Sequence, residues 1–320
     1  MEEAAGEGDL TKVKYLHEVV KAPCTHLAMV NSAWKGHFEV VKYLHEVVGA
    51  PCTPDAMEWA ARGGRLAVVK YLHKVVGAPC TPDAMDVAAS RGHLDVVEYL
   101  HEVVKAPCTH WAMDWAARNG HFAVVKYLHE VVKAPCSACT TTLASQKGHL
   151  EVVKHLHEVV KAPCTHWAMA NSAWKGHFEV VKYLHEVVGA PCTPDAMECA
   201  SWNGHLKVVK YLHEVVKAPH SEEVMELAEE SEHYEVMVYL FEKGLTTTPF
   251  EELPETVREL LRKRAKEALR RAVCKSVYVA AFNRLLMHVR FKPGGRGAKR
   301  AKRHFEQYST QEKEKRARIS

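Results

Sequence analysis

Residues 52–79 read Cys52-Thr-Pro-Asp-Ala-Met-Glu-Trp-Ala-Ala-Arg-Gly-Gly-Arg-Leu-Ala-Val-Val-Lys-Tyr-Leu-His-Lys-Val-Val-Gly-Ala-Pro79. The stretch spells two helices and the turns that end them. Thr53 is of the N-cap type, Pro54 suits a first helical position, and Asp55 complements the positive end of the helix dipole. Ala56, Met57, Ala60 and Ala61 make one narrow face whose small side chains let a neighbour approach closely. Gly63-Gly64 supplies a residue free to turn left-handed and stop the helix. The second helix carries Leu66, Val68, Val69, Tyr71, Leu72, Val75 and Val76 around well over half its circumference, a pattern that demands cover on two sides. Pro79 closes the unit.

Copies of the same unit supply that cover. Gly8, Gly36, Gly64, Gly92, Gly120, Gly148, Gly176 and Gly204 each lie 28 residues after the last, and Glu232 fills the slot in a ninth, degenerate copy. Residues 24–51 and 164–191 differ only at Leu27/Trp167 and Val30/Ala170. Such a period specifies a stack in which each repeat touches only its neighbours. The final copy, Ser221 to Gly244, carries Glu222, Glu223, Glu226, Glu229, Glu230, Glu232 and Glu235, the polar outer face a terminal repeat needs. Met1 aligns with Met29, so the chain begins inside a first helix.

The run Ala-Ala-x-x-Gly-His-Leu-x-Val-Val-x-Tyr-Leu resembles the core of an ankyrin repeat over residues 1–244. The period of 28 is shorter than that family's ~33, and the five missing residues fall in the segment that forms its β-hairpin finger. Thr-Pro also sits two residues further upstream, and His45 with its repeats takes a slot usually held by Leu. The resemblance implies an all-α, ankyrin-like α-solenoid of about nine helix–turn–helix repeats, here with tight Ala-Pro turns in place of fingers. It also implies a protein-interaction module.

Hydrophobic residues make up 47% and charged residues 26%, as in soluble globular chains. The N-terminus is acidic without an apolar core of the signal-peptide type, and no run approaches the ~18 apolar residues of a membrane span. Net charge is divided. Residues 1–244 hold 23 Lys and Arg against 31 Asp and Glu, whereas residues 245–320 hold 20 against 8. A mildly acidic body thus precedes a basic tail.

The reactive side chains recur with the period, which points to architecture. Cys24, Cys52, Cys80, Cys108, Cys136, Cys164 and Cys192 share one slot. Stacked helices lie ~8–10 Å apart, too far for a disulfide between equivalent positions. All ten cysteines are expected to be reduced, small buried groups beside turns, in keeping with a cytosolic or nuclear setting. Cys136 and Cys139 form a lone CxxC without a second pair. The ladder His17, His45, His73, His101, His129, His157, His185 and His213 has rungs too far apart to share a metal, and hydrogen bonding to neighbouring turns is its expected role. No phosphate loop, nucleophile elbow or isolated carboxylate pair is present, so no catalytic residue, metal site or cofactor is expected.

Variation between copies is the functional signal. Second helices are near copies, but three first-helix slots diverge: the one before Ala-Ala and the two before the glycine, where ankyrin-like repeats commonly touch partners. They hold Asn31, Trp34 and Lys35; Trp59, Arg62 and Gly63; Val87, Ser90 and Arg91; Trp115, Arg118 and Asn119; Leu143, Gln146 and Lys147; Asn171, Trp174 and Lys175; Cys199, Trp202 and Asn203. All seven tryptophans lie in first helices and five occupy these slots. Trp and Arg dominate interface energetics, so the expected partner-binding face is Asn31, Trp34, Lys35, Trp59, Arg62, Val87, Arg91, Trp115, Arg118, Asn119, Asn171, Trp174, Lys175, Trp202 and Asn203. The competing reading is that some rings pack laterally between adjacent first helices.

Beyond Gly244 the period ends. Residues 245–291 read as a helical extension: Glu255 to about Ala272 with Val257, Leu260, Leu261, Ala265 and Leu269 on one side, then an apolar segment from Val277 to Phe291. Leu253-Pro254-Glu255 followed by Val273-Cys274 resembles an F-box, which implies a ubiquitin-ligase substrate adaptor acting through residues 250–291. Residues 292–320 read as a disordered basic tail. Its clusters Lys299, Arg300, Lys302, Arg303 and Lys313, Lys315, Arg316, Arg318 look like a two-part nuclear import signal that would engage an import receptor, with a nucleic-acid-contacting arm or a merely solvated tail as the alternatives. The reading is a non-catalytic, monomeric protein-binding scaffold of the nucleus or cytoplasm, with no membrane association.

Overall fold

The computed structural model describes residues 1–274, all helix and turn, with no strand among them. Two compact units divide the chain, one from Met1 to Val236 and a second beginning at Met237. The Val277–Phe291 segment, the tail from residue 292 and its basic clusters lie outside the described residues, as do the side chains of residues 269–274, Leu269, Val273 and Cys274 among them.

Nine first helices run Glu2–Glu7, His26–Lys35, Pro54–Arg62, Pro82–Arg91, His110–Arg118, Thr140–Lys147, His166–Trp174, Pro194–Trp202 and Val224–Glu230. Each is followed by a second helix beginning two residues past the glycine slot: Leu10–Glu18, Phe38–Tyr43, Leu66–Tyr71, Leu94–Tyr99, Phe122–Tyr127, Leu150–His155, Phe178–Tyr183, Leu206–Tyr211 and Tyr234–Lys243. The repeats are therefore the expected nine helix pairs, and the segments that carry fingers in longer repeats are short extended turns.

Within the first unit, neighbouring first helices pack against one another along their small faces. Ala56, Met57, Ala60 and Ala61 have no exposed surface, and the same holds for Ala84, Met85, Ala88 and Ala89. Adjacent second helices touch far less closely. Their covered positions are the expected Val68, Val69, Tyr71 and Leu72, but Val75 is 56% exposed and Leu66 and Val76 are only half-buried. The two-sided cover read from the sequence is thus incomplete. Tyr and His side chains lie between neighbouring second helices, and the penultimate valine of each, Val75 here, projects outward.

That end has its own geometry. Seven second helices finish in a wider turn of π type, from Leu44–Val48 to Leu212–Val216. The residue after it is left-handed, and the next amide donates back to the leucine carbonyl: Ala50 to Leu44 and Ala78 to Leu72, both 2.9 Å. Glycine takes the left-handed place at Gly49, Gly77 and Gly189. Lys21, Lys105, Lys133, Lys161 and Lys217 take it elsewhere, with φ between 56° and 60°.

Start signals differ between copies. Thr25 and Thr109 accept the amide hydrogens of Leu27 and Trp111, as N-caps do. Thr53 holds the expected N-cap position in extended conformation with Pro54 next, but makes no side-chain cap bond; its hydroxyl donates to the Asp55 carboxylate at 3.1 Å. In the second unit, Glu255–Cys274 is one helix. It is tied to the end of the preceding helix by Arg264 on Glu242 at 3.3 Å, with Phe241 and Phe250 ring to ring at 6.1 Å.

Candidate functional site

The first-helix face is positioned by a row of contacts beneath it. After each first helix the glycine slot turns left-handed, and the residue following it reaches back 31 positions. His37, His93, His121, His177 and His205 place Nε2 2.9–3.2 Å from the carbonyl oxygens of Gly6, Arg62, Ser90, Gln146 and Trp174. Arg65 substitutes for histidine, its Nε–H donating to Trp34 at 3.2 Å. Burial pushes His121, His149 and His177 below the usual imidazole range. Each ring sits so close that a Cβ on the preceding glycine would overlap it: at Gly120 the nearest His149 ring atoms would lie 2.5 Å away. The carbonyls so held belong to residues at or beside the divergent slots, so the face is carried on a rigid base.

A second ladder stiffens the far side. Nδ1 of His45, His73 and His101 lies 3.0–3.2 Å from the hydroxyl of Tyr71, Tyr99 and Tyr127 in the next repeat. Tyr71, Tyr183 and Tyr211 donate in turn to Glu46, Glu158 and Glu186 of the repeat before. The expected role of the ladder histidines is bonding to neighbouring turns; instead His45, His73 and His101 meet a tyrosine hydroxyl of the next second helix, and His17, His157 and His185 meet the tyrosine ring edge-on. One rung differs. His155 stands in the tyrosine slot, is 8% exposed, meets His129 edge-on at 6.0 Å and leaves Nε2 without a partner.

The cysteine slot is half-buried rather than buried. Each of its seven thiols points at the carbonyl of the following residue, and burial raises their pKa values, Cys108 to about 12. Nine cysteines are unpaired among the described residues, and no group of three or more His, Cys, Asp or Glu there could hold a metal ion.

None of the fifteen residues read as partner-binding is buried. Trp34, Trp174 and Trp202 are 40%, 41% and 37% exposed; Trp59 and Trp115 are half-buried. Lateral packing is present too: Trp34 meets Trp59 edge-on at 5.5 Å. Cations cover the outer ring faces, Lys35 over Trp34 at 4.4 Å, Arg62 over Trp59 at 4.7 Å and Arg118 over Trp115 at 4.8 Å. Asn119 and Asn203 are engaged internally, their amide nitrogens donating to the Ser90 and Cys199 carbonyls. Asn31, Asn171 and Val87 are half-buried between these anchors, with Arg91 and Lys175 exposed.

Two features escaped sequence reasoning. Trp111 and Trp167, 49% and 53% exposed, are more open than any slot tryptophan, and Trp111 stacks on Trp115 at 6.1 Å. Their spacing of one helical turn from the slot was the available signal. The second is a polar clasp between neighbouring first helices. Buried Asp86 accepts from the Thr109 amide and hydroxyl, and buried Asp114 accepts from Ser137 and Thr140.

Ankyrin-repeat family models match residues 57–138 (three copies) and 165–213 (many copies). No curated protein matches the chain.

Proposed function

The repeat array belongs to the ankyrin repeat superfamily, whose repeats are protein–protein interaction modules, and on that premise we propose that this chain is a non-catalytic scaffold binding a partner protein across its first-helix face. The carrying observation is that five tryptophans stand half-buried or exposed in the slots where the copies diverge, over a base of fixed hydrogen bonds. Aromatic anchors that are rigid and still open to contact are the usual hot-spot material. The basic clusters at Lys299–Arg303 and Lys313–Arg318 support a nuclear location through an import receptor, read from sequence and testable by imaging a tail-deleted fusion.

Trp59→Ala and Trp115→Ala test the face. Each should weaken binding of the protein that co-purifies with the intact chain by at least ~1 kcal/mol, with little change in Tm. Normal binding together with clearly earlier unfolding would make the rings structural and remove the face.

A further inference from the structure

Six consecutive repeats each place one cation in the divergent slots: Lys35, Arg62, Arg91, Arg118, Lys147 and Lys175. From the repeat of Gly36 to that of Gly204 no such slot holds Asp or Glu, although the 244-residue body carries 31 acidic residues against 23 basic ones. Slots without carboxylates on an acidic body are a local reversal of sign, confined to the inner repeats: Glu3, Glu7 and Glu230 stand in the equivalent slots of the first and last. None of the six cations is in an ion pair among the described residues. Glu58, one turn before Arg62, is the nearest carboxylate named beside any of them, and it is only half-buried. The Arg118 Nε is enclosed and lacks any acceptor. Three of the six lie over tryptophan rings, which fixes the orientation of the cation beside an aromatic anchor.

Resting on the protein-binding reading above, we propose that the partner is an acidic peptide segment in extended conformation, laid along the first helices with its apolar side chains against the tryptophans. Spacing gives the register. Neighbouring helices stand ~10 Å apart, and an extended chain of polyproline-II type advances ~3.1 Å per residue with about three residues per turn, bringing every third side chain to the same side. One carboxylate about every third residue therefore meets one cation per repeat, and the six cations span roughly 15 residues.

The test uses the full chain and three fluorescein-labelled 15-residue peptides that share Trp and Leu at the other positions: Asp at every third position, Asn there, or Lys there. The Asp peptide should bind at micromolar Kd in 50 mM salt and weaken at least tenfold with Arg62→Gln/Arg118→Gln or with Lys147→Gln/Lys175→Gln. It should also weaken steeply in 300 mM salt, because exposed charges are screened. Reversing Lys299, Arg300, Lys302 and Arg303 to Glu should change its Kd less than twofold. Circular dichroism of each variant confirms that the fold is kept. Equal binding of the Asn peptide overturns the acidic partner while leaving the protein-binding face standing. Binding of no peptide, or binding lost only with the tail variant, overturns the proposal. Competition by a 15-nucleotide single strand that depends on Arg62 and Arg118 overturns it in favour of nucleic acid.

Discussion

First and second helices of the same repeat obey opposite rules. The second helix is copied almost unchanged, and several of its polar groups pair with a group one repeat away: His45 with Tyr71, His73 with Tyr99, Tyr71 with Glu46. A substitution there breaks a contact on two sides. On the first helix, Ala56, Met57, Ala60 and Ala61 are just as constrained, fully buried against neighbouring copies. Trp59 and Arg62 on the same helix reach outward and are free to differ. Constancy follows contact between equivalents, and divergence follows solvent.

The sharpest way to break this comparison is through the two glycine slots. Gly120 ends a first helix with φ 77°, and an added Cβ would strike the His149 ring. Gly120→Ala should cost about 2–3 kcal/mol, combining left-handed strain with a displaced inter-repeat hydrogen bond. Gly49 ends a second helix with φ 65° and nothing within 4 Å of the same position. Gly49→Ala should cost only about 1 kcal/mol, from strain alone. Denaturant unfolding of both variants reads the difference; equal losses would mean that the histidine packing contributes nothing.

A gain should follow where lysine occupies the second-helix slot. Lys133 holds φ 58° without the freedom of glycine. Lys133→Gly should stabilise the array by up to about 1 kcal/mol, seen as a higher Tm, and a lower Tm would show that the lysine side chain compensates for its strain.

The smallest expected effect lies at the broken rung. His155→Tyr restores the hydroxyl that the other repeats direct at His and Glu, here His129 and Glu130, and removes an orphaned buried nitrogen. A gain of about 0.5–1.5 kcal/mol is expected. It should be accompanied by a change in pH dependence. Burial holds His121, His149, His155 and His177 below 6.5 in the fold. As pH falls through ~6.5 the unfolded chain takes up these protons first, so their contribution to stability is present near pH 7 and is lost towards the depressed folded values. Asp86, raised by burial, opposes this at lower pH. His155→Tyr should therefore flatten the fall in Tm between pH 7 and pH 5.5; an unchanged slope would place the titration at the other three rings.

The 28-residue period determined the repeat count, the helix pairing, the turn positions and the buried alanine faces. Each depends on residues close in sequence or on identity between copies, and both are legible in one dimension. Thr53 caps its helix by position, as read, but its hydroxyl bonds to Asp55 and not to a helix amide. Only the tertiary structure decided which side of the second helix stays open at Val75, that His121 reaches the Ser90 carbonyl 31 residues back, and that Asp86 clasps Thr109. It also showed that Trp34 shares its ring with Trp59 and Lys35 while remaining exposed. Those outcomes depend on the distance and angle between neighbouring copies. A periodic sequence repeats its residues but does not state the transformation that carries one copy onto the next; the packing of alanine faces against bulky tyrosine and histidine sets it.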